Sequence, residues 1–308
     1  MLGRTQEEHA MAQRLTAADF DPEVLMLFDA YVHGALDRRG FLDKAKKYAV
    51  GGMSAAMLLD ALSPKFAEAQ QVKKDDARLD ASFVEFPSPQ GSGTARGYLV
   101  RPANSAGKKL PAILVVHENR GLNPHIEDIA RRLGLDGYMA FAPDALFPVG
   151  GYPGDEDKAR TLFQTLDQPK TREDFVAAAG WLRARPDATG KIGAVGFCYG
   201  GAIVNMLATR VPELAAGVPF YGGAPPVADV PKIKAALLLQ FAENDERVNA
   251  AWPPYEAALK EAKVPYEAHI YPGTQHGFNN DTTPRYDEKN ARLAWERTMA
   301  HFARHVKG

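Results

Sequence analysis

The sequence predicts an α/β fold: a mainly parallel sheet flanked by helices on both sides, preceded by a helical N-terminal extension. Three observations predict it. From residue 110 onward, apolar runs of strand length alternate with helical stretches, the pattern of parallel strands joined by crossover helices. The run Leu110–Val116 is continuously apolar, as in a strand buried on both faces. The short apolar run 191–196 leads through Gly196-Phe197-Cys198-Tyr199-Gly200-Gly201 into a buried-looking helix at 202–208. Such a strand–turn–helix needs small residues, because strand and helix approach closely and the turn residue is strained.

Size and composition fit this reading. The chain has 308 residues, enough for one large domain plus an extension, and its 45% apolar and 24% charged content is ordinary for a soluble globular protein. Lys+Arg 37 against Asp+Glu 38 gives a net charge of −1, which argues against a nucleic-acid partner. No apolar run reaches the ~20 residues needed to span a bilayer. With 1 cysteine, an intrachain disulfide is excluded.

Residues 1–79 form the extension. Within 1–37, Val24, Leu25, Leu27, Phe28, Tyr31 and Val32 recur at helical spacing, and Asp21-Pro22 fits an N-cap followed by a first-turn proline. Arg38-Arg39, the basic flank Lys44, Lys46 and Lys47, a modestly apolar stretch at 49–62 and Ala67-Glu68-Ala69 together resemble a twin-arginine export signal. Its use would place the protein in the periplasm; otherwise the cytoplasm is expected. The other reading is a retained helical arm that packs on the domain or makes a homodimer. Residues 63–79 read as a linker.

The domain spans 80–308. Residues 81–86 and 94–100 alternate as two strands around a Gln90–Gly93 turn, an antiparallel hairpin. After the Leu110–Val116 strand come a helix at 126–135, a strand at 138–142 and a Gly- and Pro-rich surface loop at 145–157. Helices follow near 155–166 and 171–185, then the elbow, strands at 216–220 and 235–241, a helix near 250–262, a strand at 266–271 and a terminal helix at 286–306.

A thiol on the elbow needs a base, and the base needs an orienting acid. Asp245 lies just past the carboxyl end of the 235–241 strand, with Glu243 as the competing acid. His276 lies past the next strand, on a loop flanked by Gly273 and Gly277; His269 falls inside that strand. Nucleophile, acid and histidine then follow the chain order of the α/β-hydrolases. Such a histidine can hold Cys198 near the thiolate state, so that attack on a carbonyl yields a thioester that water hydrolyses. The developing oxyanion needs two N–H donors. These are assigned to the backbone of Tyr199, the residue after the nucleophile, and of Asn119, in the loop after Leu110–Val116. Glu118, in the same loop, is expected to face the thiol.

The segments 116–121 (Val-His-Glu-Asn-Arg-Gly), 196–201 (Gly-Phe-Cys-Tyr-Gly-Gly), the Asp245 loop and 273–278 (Gly-Thr-Gln-His-Gly-Phe) resemble the dienelactone hydrolase (carboxymethylenebutenolidase) family over roughly residues 80–305. The resemblance implies an α/β-hydrolase fold, a Cys198–His276–Asp245 triad and hydrolysis of a small-molecule ester or lactone without a cofactor. It also implies that Glu118 controls the thiol by changing partners when substrate arrives. Family members carry an arginine shortly after the histidine to grip a substrate carboxylate; here that stretch is Phe278-Asn279-Asn280-Asp281. Arg285 and Arg120 are the candidates to take over this role. Replacing a bidentate arginine leaves the substrate open.

No metal is expected: His301 and His305 share a helix face but lack a third ligand. The competing function is a thiol redox or peroxide-responsive protein using Cys198, disfavoured by the absence of a resolving cysteine.

Overall fold

A computed structural model describes residues 14–49 and 52–307. Its centre is a sheet of 8 strands in the order β1-β2-β4-β3-β5-β6-β7-β8. They are β1 (Leu79–Ser88), β2 (Gly93–Pro102), β3 (Leu110–Val116), β4 (Met139–Pro143), β5 (Ala188–Phe197), β6 (Leu214–Phe220), β7 (Ala236–Asn244) and β8 (Tyr266–Gln275). The β1–β2 hairpin and the β2–β4 pair are antiparallel; every later pairing is parallel. The predicted fold class and strand positions match the observed architecture: β3 has the predicted bounds, and each other strand runs one to several residues past its sequence-based bounds at one end or both.

Both faces of the sheet are covered. Along β3, Ala112, Leu114 and Val116 join one buried cluster, while Ile113 and Val115 join another. Alternate side chains of a strand point to opposite faces, so a strand buried on both must be apolar throughout. The first cluster packs under α7 (Gln168–Ala184), α8 (Tyr199–Arg210) and α10 (Trp252–Glu261); the second under α5 (Pro124–Leu135) and α11 (Glu288–Phe302). His301 on α11 is buried and hydrogen-bonds the Ala236 carbonyl at 3.1 Å, so it helps seat the helix on the sheet.

The turn between β5 and α8 is set by close backbone contact. Cys198 sits at φ 56°, ψ −111°, outside the regions a non-glycine residue prefers. Such a residue costs of order 1–3 kcal/mol and persists because its surroundings fix it. Here the Cys198 amide donates to the Phe220 carbonyl at 3.1 Å, and its own carbonyl accepts from Ala202 at 3.2 Å. A methyl on Gly196 would lie 2.2 Å from the Gly200 carbonyl oxygen, and one on Gly200 would lie 2.2 Å from that of Val116.

The extension folds as α1 (Pro22–Val32), α2 (Arg38–Ala45), α3 (Ala55–Leu62) and the short α4 (Phe66–Ala69). Asp21 caps α1 by accepting from the Glu23 amide, as its position before Pro22 predicts. Val24, Leu25, Phe28 and Tyr31 form a cluster of their own with Phe41, Leu58, Leu59 and Leu62. Arg38-Arg39 opens α2, capped by Asp37, and Arg38 pairs with Asp157 at 3.1 Å. The linker is fastened down: the amides of Gln71 and Val72 donate to the buried Asp128 carboxylate at 3.1 and 2.9 Å. Among the described residues no helix is long and apolar enough to cross a membrane.

Candidate active site

The carboxyl ends of the parallel strands gather the expected residues. Cys198 follows β5, Asp245 follows β7 and His276 follows β8. Neighbouring parallel strands end at the same edge, so residues distant in sequence converge there.

Asp245 is fixed through both oxygens. Oδ1 accepts from the Val248 amide at 3.4 Å, capping α9 (Glu246–Asn249), and Oδ2 accepts from His276 Nδ1 at 2.5 Å. The competing Glu243 instead holds the Gly273 amide at 2.8 Å and so ties the two loops together. His269 stays within β8, 4.0 Å from Glu267. With Nδ1 of His276 engaged, Nε2 is the free nitrogen. It is buried and has no hydrogen-bond partner among the described residues.

A second imidazole reaches the thiol from the extension. His33, one residue past the end of α1, places Nε2 3.3 Å from Cys198 Sγ and packs edge-on against the His276 ring at 4.8 Å between centroids. Its Nδ1 lies 2.8 Å from the Asp29 carbonyl and 3.3 Å from the Asp29 carboxylate. Sγ and one ring nitrogen from each histidine all lie within 4.8 Å of one another. Two carboxylate-anchored imidazoles therefore flank one thiol.

Their charges decide its protonation. Burial pushes the Cys198 thiol up, but the His276 and His33 imidazoles outweigh burial and bring it to about 5. Burial pulls His276 down, and the Cys198 charge and the Asp245 hydrogen bond raise it above the ordinary value. Burial also opposes a charge on His33; Asp29 and Cys198 overcome it and lift the ring to about 10. The exposed Arg247 works the other way, with Nη2 3.2 Å from His33 Nε2. A guanidinium can only donate, so its approach favours the neutral ring.

The loop after β3 meets the same arm. His117 is buried, and desolvation lowers it to about 4, leaving a neutral ring that accepts from the Ala145 amide at 3.2 Å. Glu118 Oε2 accepts from Asn280 Nδ2 at 3.0 Å; Asn280 lies in the stretch that lacks the expected arginine. Asn119 Nδ2 donates to the Val32 carbonyl at 2.9 Å, and the Arg120 guanidinium approaches the same oxygen at 3.3 Å. That carbonyl belongs to the last turn of α1, which has no intrahelical donor left for it. Arg285 pairs with Asp29 at 3.2 Å and lies over the Phe28 ring. Phe28, Tyr31, Glu118, Arg120, Asn280 and Arg285 border a cavity of about 440 Å³. Tyr199 opens α8, so its amide is one of those a helix leaves unpaired. Its hydroxyl points away, to Gln168 at 3.2 Å.

Sequence reasoning missed His33 and Asp29, which look like an i, i+4 pair on a surface helix. It also missed Tyr221, a buried residue at φ 36° whose ring packs 4.9 Å from His276 and whose hydroxyl has no hydrogen-bond partner among the described residues.

A model of the dienelactone hydrolase family matches residues 95–306, and a model described as YqhI-like matches residues 11–50. His33 therefore falls in the second segment and outside the first. The candidate hydrolase fragment YghX of Escherichia coli K12 is 55% identical over 115 residues, covering 37% of this chain and 97% of its own. A candidate carboxymethylenebutenolidase of Salmonella typhi is 31% identical over 245 residues, covering 75% of this chain and 89% of its own. A crystal structure of a candidate dienelactone hydrolase from Klebsiella pneumoniae superposes with a TM-score of 0.64 at 30% identity, over 73% of this chain and 100% of that one.

Proposed function

The chain belongs to the dienelactone hydrolase family and is a carboxylic ester hydrolase; on that premise we propose that it cleaves an ester or lactone through a thioester on Cys198. The observation that carries this reading is His276. Its Nδ1 is locked to Asp245 at 2.5 Å, while its other nitrogen is buried, unpartnered and turned toward the thiol.

In this reading the Cys198 thiolate attacks the carbonyl carbon, and the π electrons move onto oxygen. The Tyr199 and Asn119 amides receive the oxyanion. Collapse reforms the carbonyl and breaks the C–O bond; the His276 imidazolium gives its proton to the leaving alkoxide, which in a lactone stays tethered to the acyl group. His276, neutral again, takes a proton from water as the hydroxide attacks the thioester. The thiolate leaves, and the acid is released. Asp245 keeps the ring in the required tautomer throughout. Glu118, released from Asn280, is the group assigned to respond to substrate.

Arg120 and Arg285 border the cavity and are the groups assigned to a substrate carboxylate. Both are engaged by the arm, Arg285 by the Asp29 carboxylate, so an anionic substrate competes with Asp29. The low thiol value would equally serve a peroxide-responsive cysteine, and one assay separates the two. Activated esters and lactones, dienelactone included, are offered to wild type, Cys198→Ala and Cys198→Ser. Turnover by wild type that disappears in Cys198→Ala supports the acyl-enzyme. Turnover that survives in Cys198→Ala removes the nucleophile, and absence of turnover with reversible peroxide oxidation of Cys198 favours the redox role.

A further inference from the structure

The two histidines and the cysteine are arranged as metal ligands are. We propose that His33, Cys198 and His276 form a three-ligand site for a divalent cation of the Zn²⁺ class, completed by the N-terminal arm.

Three independent features carry this. The first is the donor set: one thiolate and two imidazoles suit Zn²⁺ and similar borderline cations and are poor ligands for Mg²⁺ or Ca²⁺. The second is spacing. Zn–S of about 2.3 Å and Zn–N of about 2.0–2.1 Å put tetrahedral ligand atoms roughly 3.3–3.8 Å apart. His33 Nε2 and Sγ are 3.3 Å apart, and all three donor atoms lie within 4.8 Å of each other. A shift of well under 1 Å per side chain, on the order of thermal amplitudes, would close the set.

The third feature is the support behind the ligands. Metal-binding histidines present one nitrogen inward and donate the other N–H to a carboxylate or carbonyl, which fixes tautomer and orientation. Both rings do this. His276 Nδ1 is held by Asp245 Oδ2 at 2.5 Å; His33 Nδ1 is held by the Asp29 carbonyl at 2.8 Å, with the Asp29 carboxylate 3.3 Å away. The inward Nε2 of His276 is buried without a hydrogen-bond partner among the described residues. Once deprotonated, it offers a lone pair that a cation can accept. Arg247, exposed and 3.2 Å from His33 Nε2, opposes binding, as do the protons on the two imidazoles.

The site spans two parts of the chain. His33 follows the end of α1, and the other ligands come from the strand edge, so binding the cation and seating the arm are one equilibrium. Each ligand binds deprotonated: protons on either imidazole pass to solvent as the metal–nitrogen bonds form, so apparent affinity rises with pH. A further consequence rests on the acyl-enzyme reading. A thiolate whose lone pair is bound to the cation is withdrawn from attack on a carbonyl, so metal binding and ester cleavage exclude each other.

The test reads the metal and not turnover. Full-length protein, freed of metal by a chelator, is titrated with Zn²⁺ against a chromophoric chelator and, separately, with Co²⁺ in the absorption spectrometer. One equivalent should bind. Co²⁺ should give a thiolate charge-transfer band in the near ultraviolet, and X-ray absorption of the Zn²⁺ form should show one sulfur and two imidazole shells. Cys198→Ala should abolish the band. His33→Gln should weaken Zn²⁺ at least tenfold, and Asp29→Asn about 10–100-fold, the usual effect of losing a group that orients a ligand. Sub-stoichiometric binding by wild type, a single imidazole shell, or affinity unchanged in His33→Gln would overturn the site. Because the imidazole count is read on wild type, the test stands even if His33→Gln unseats the arm. Ester hydrolysis in chelator, compared between wild type and Cys198→Ala, tests the acyl-enzyme separately.

Discussion

Replacing His33 by glutamine removes the imidazole 3.3 Å from Cys198 Sγ and leaves a polar side chain of similar reach. The thiol stands at about 5 against an ordinary 9.0, because two imidazoles outweigh its burial. That gap favours the thiolate by ~5 kcal/mol at about 1.4 kcal/mol per pH unit. A hydrogen bond to a charged acceptor contributes about 1.5–3 kcal/mol, or roughly 1–2 pH units. The His33→Gln thiol should therefore titrate near 6–7, with His276 supplying the remainder. The measurement is the rate of alkylation by iodoacetamide from pH 4 to 10. With 1 cysteine in the chain, the rate reports on Cys198 alone. Wild type should reach half its plateau near pH 5, where the variant shows a rate on the order of 1–10% of plateau, from the 1–2 unit displacement. Identical midpoints would show that the arm does not reach the thiol in solution. A wild-type midpoint in the ordinary range of about 8–9 would refute the imidazole–thiolate cluster itself.

The same pair makes the seating of the arm depend on pH. His33 is raised from 6.5 to about 10, so its contribution to stability is complete below about 6.5 and vanishes as pH rises through about 10. Cys198 is lowered from 9.0 to about 5, so its contribution is complete above about 9 and is lost as pH falls through about 5. Urea unfolding of wild type and His33→Gln should differ through the pH 5–10 window, keep the part of that difference held by Asp29 below pH 5, and converge as pH rises above about 10. Gly200→Ala puts a methyl 2.2 Å from the Val116 carbonyl oxygen, where neither backbone can yield, and should cost about 3 kcal/mol or more in urea unfolding. Asp29→Ala frees Arg285 and should lower KM for a carboxylate-bearing lactone about tenfold, as one charge-assisted hydrogen bond allows, while KM for a neutral ester stays within about twofold. Equal changes for both substrates would remove Arg285 from substrate binding.

Much of the domain was legible because local chemistry forces it. A strand buried on both faces must be apolar at every position, as β3 is. A sharp strand-to-helix turn must have glycines where backbones nearly touch, as Gly196 and Gly200 do. Asp245 and His276 could be placed because each follows an apolar strand, and parallel strands bring their carboxyl ends to one edge. The helix α1 was equally legible, from its apolar spacing and its Asp21-Pro22 start. What α1 does was not. His33 and Asp29 have the spacing of any solvated helical pair, and nothing in a sequence says which surface a helix end will meet.

Periodicity and steric exclusion act within a few residues, so the sheet and the tight turn between β5 and α8 could be read from local sequence. Tertiary structure alone decided that the extension delivers a second imidazole to the thiol, that Asp29 engages Arg285 and that Asn280 holds Glu118. Those contacts join residues more than 150 positions apart, and they arise from how two independently buried clusters dock. Docking is set by the shape and charge of whole surfaces, which no local pattern encodes.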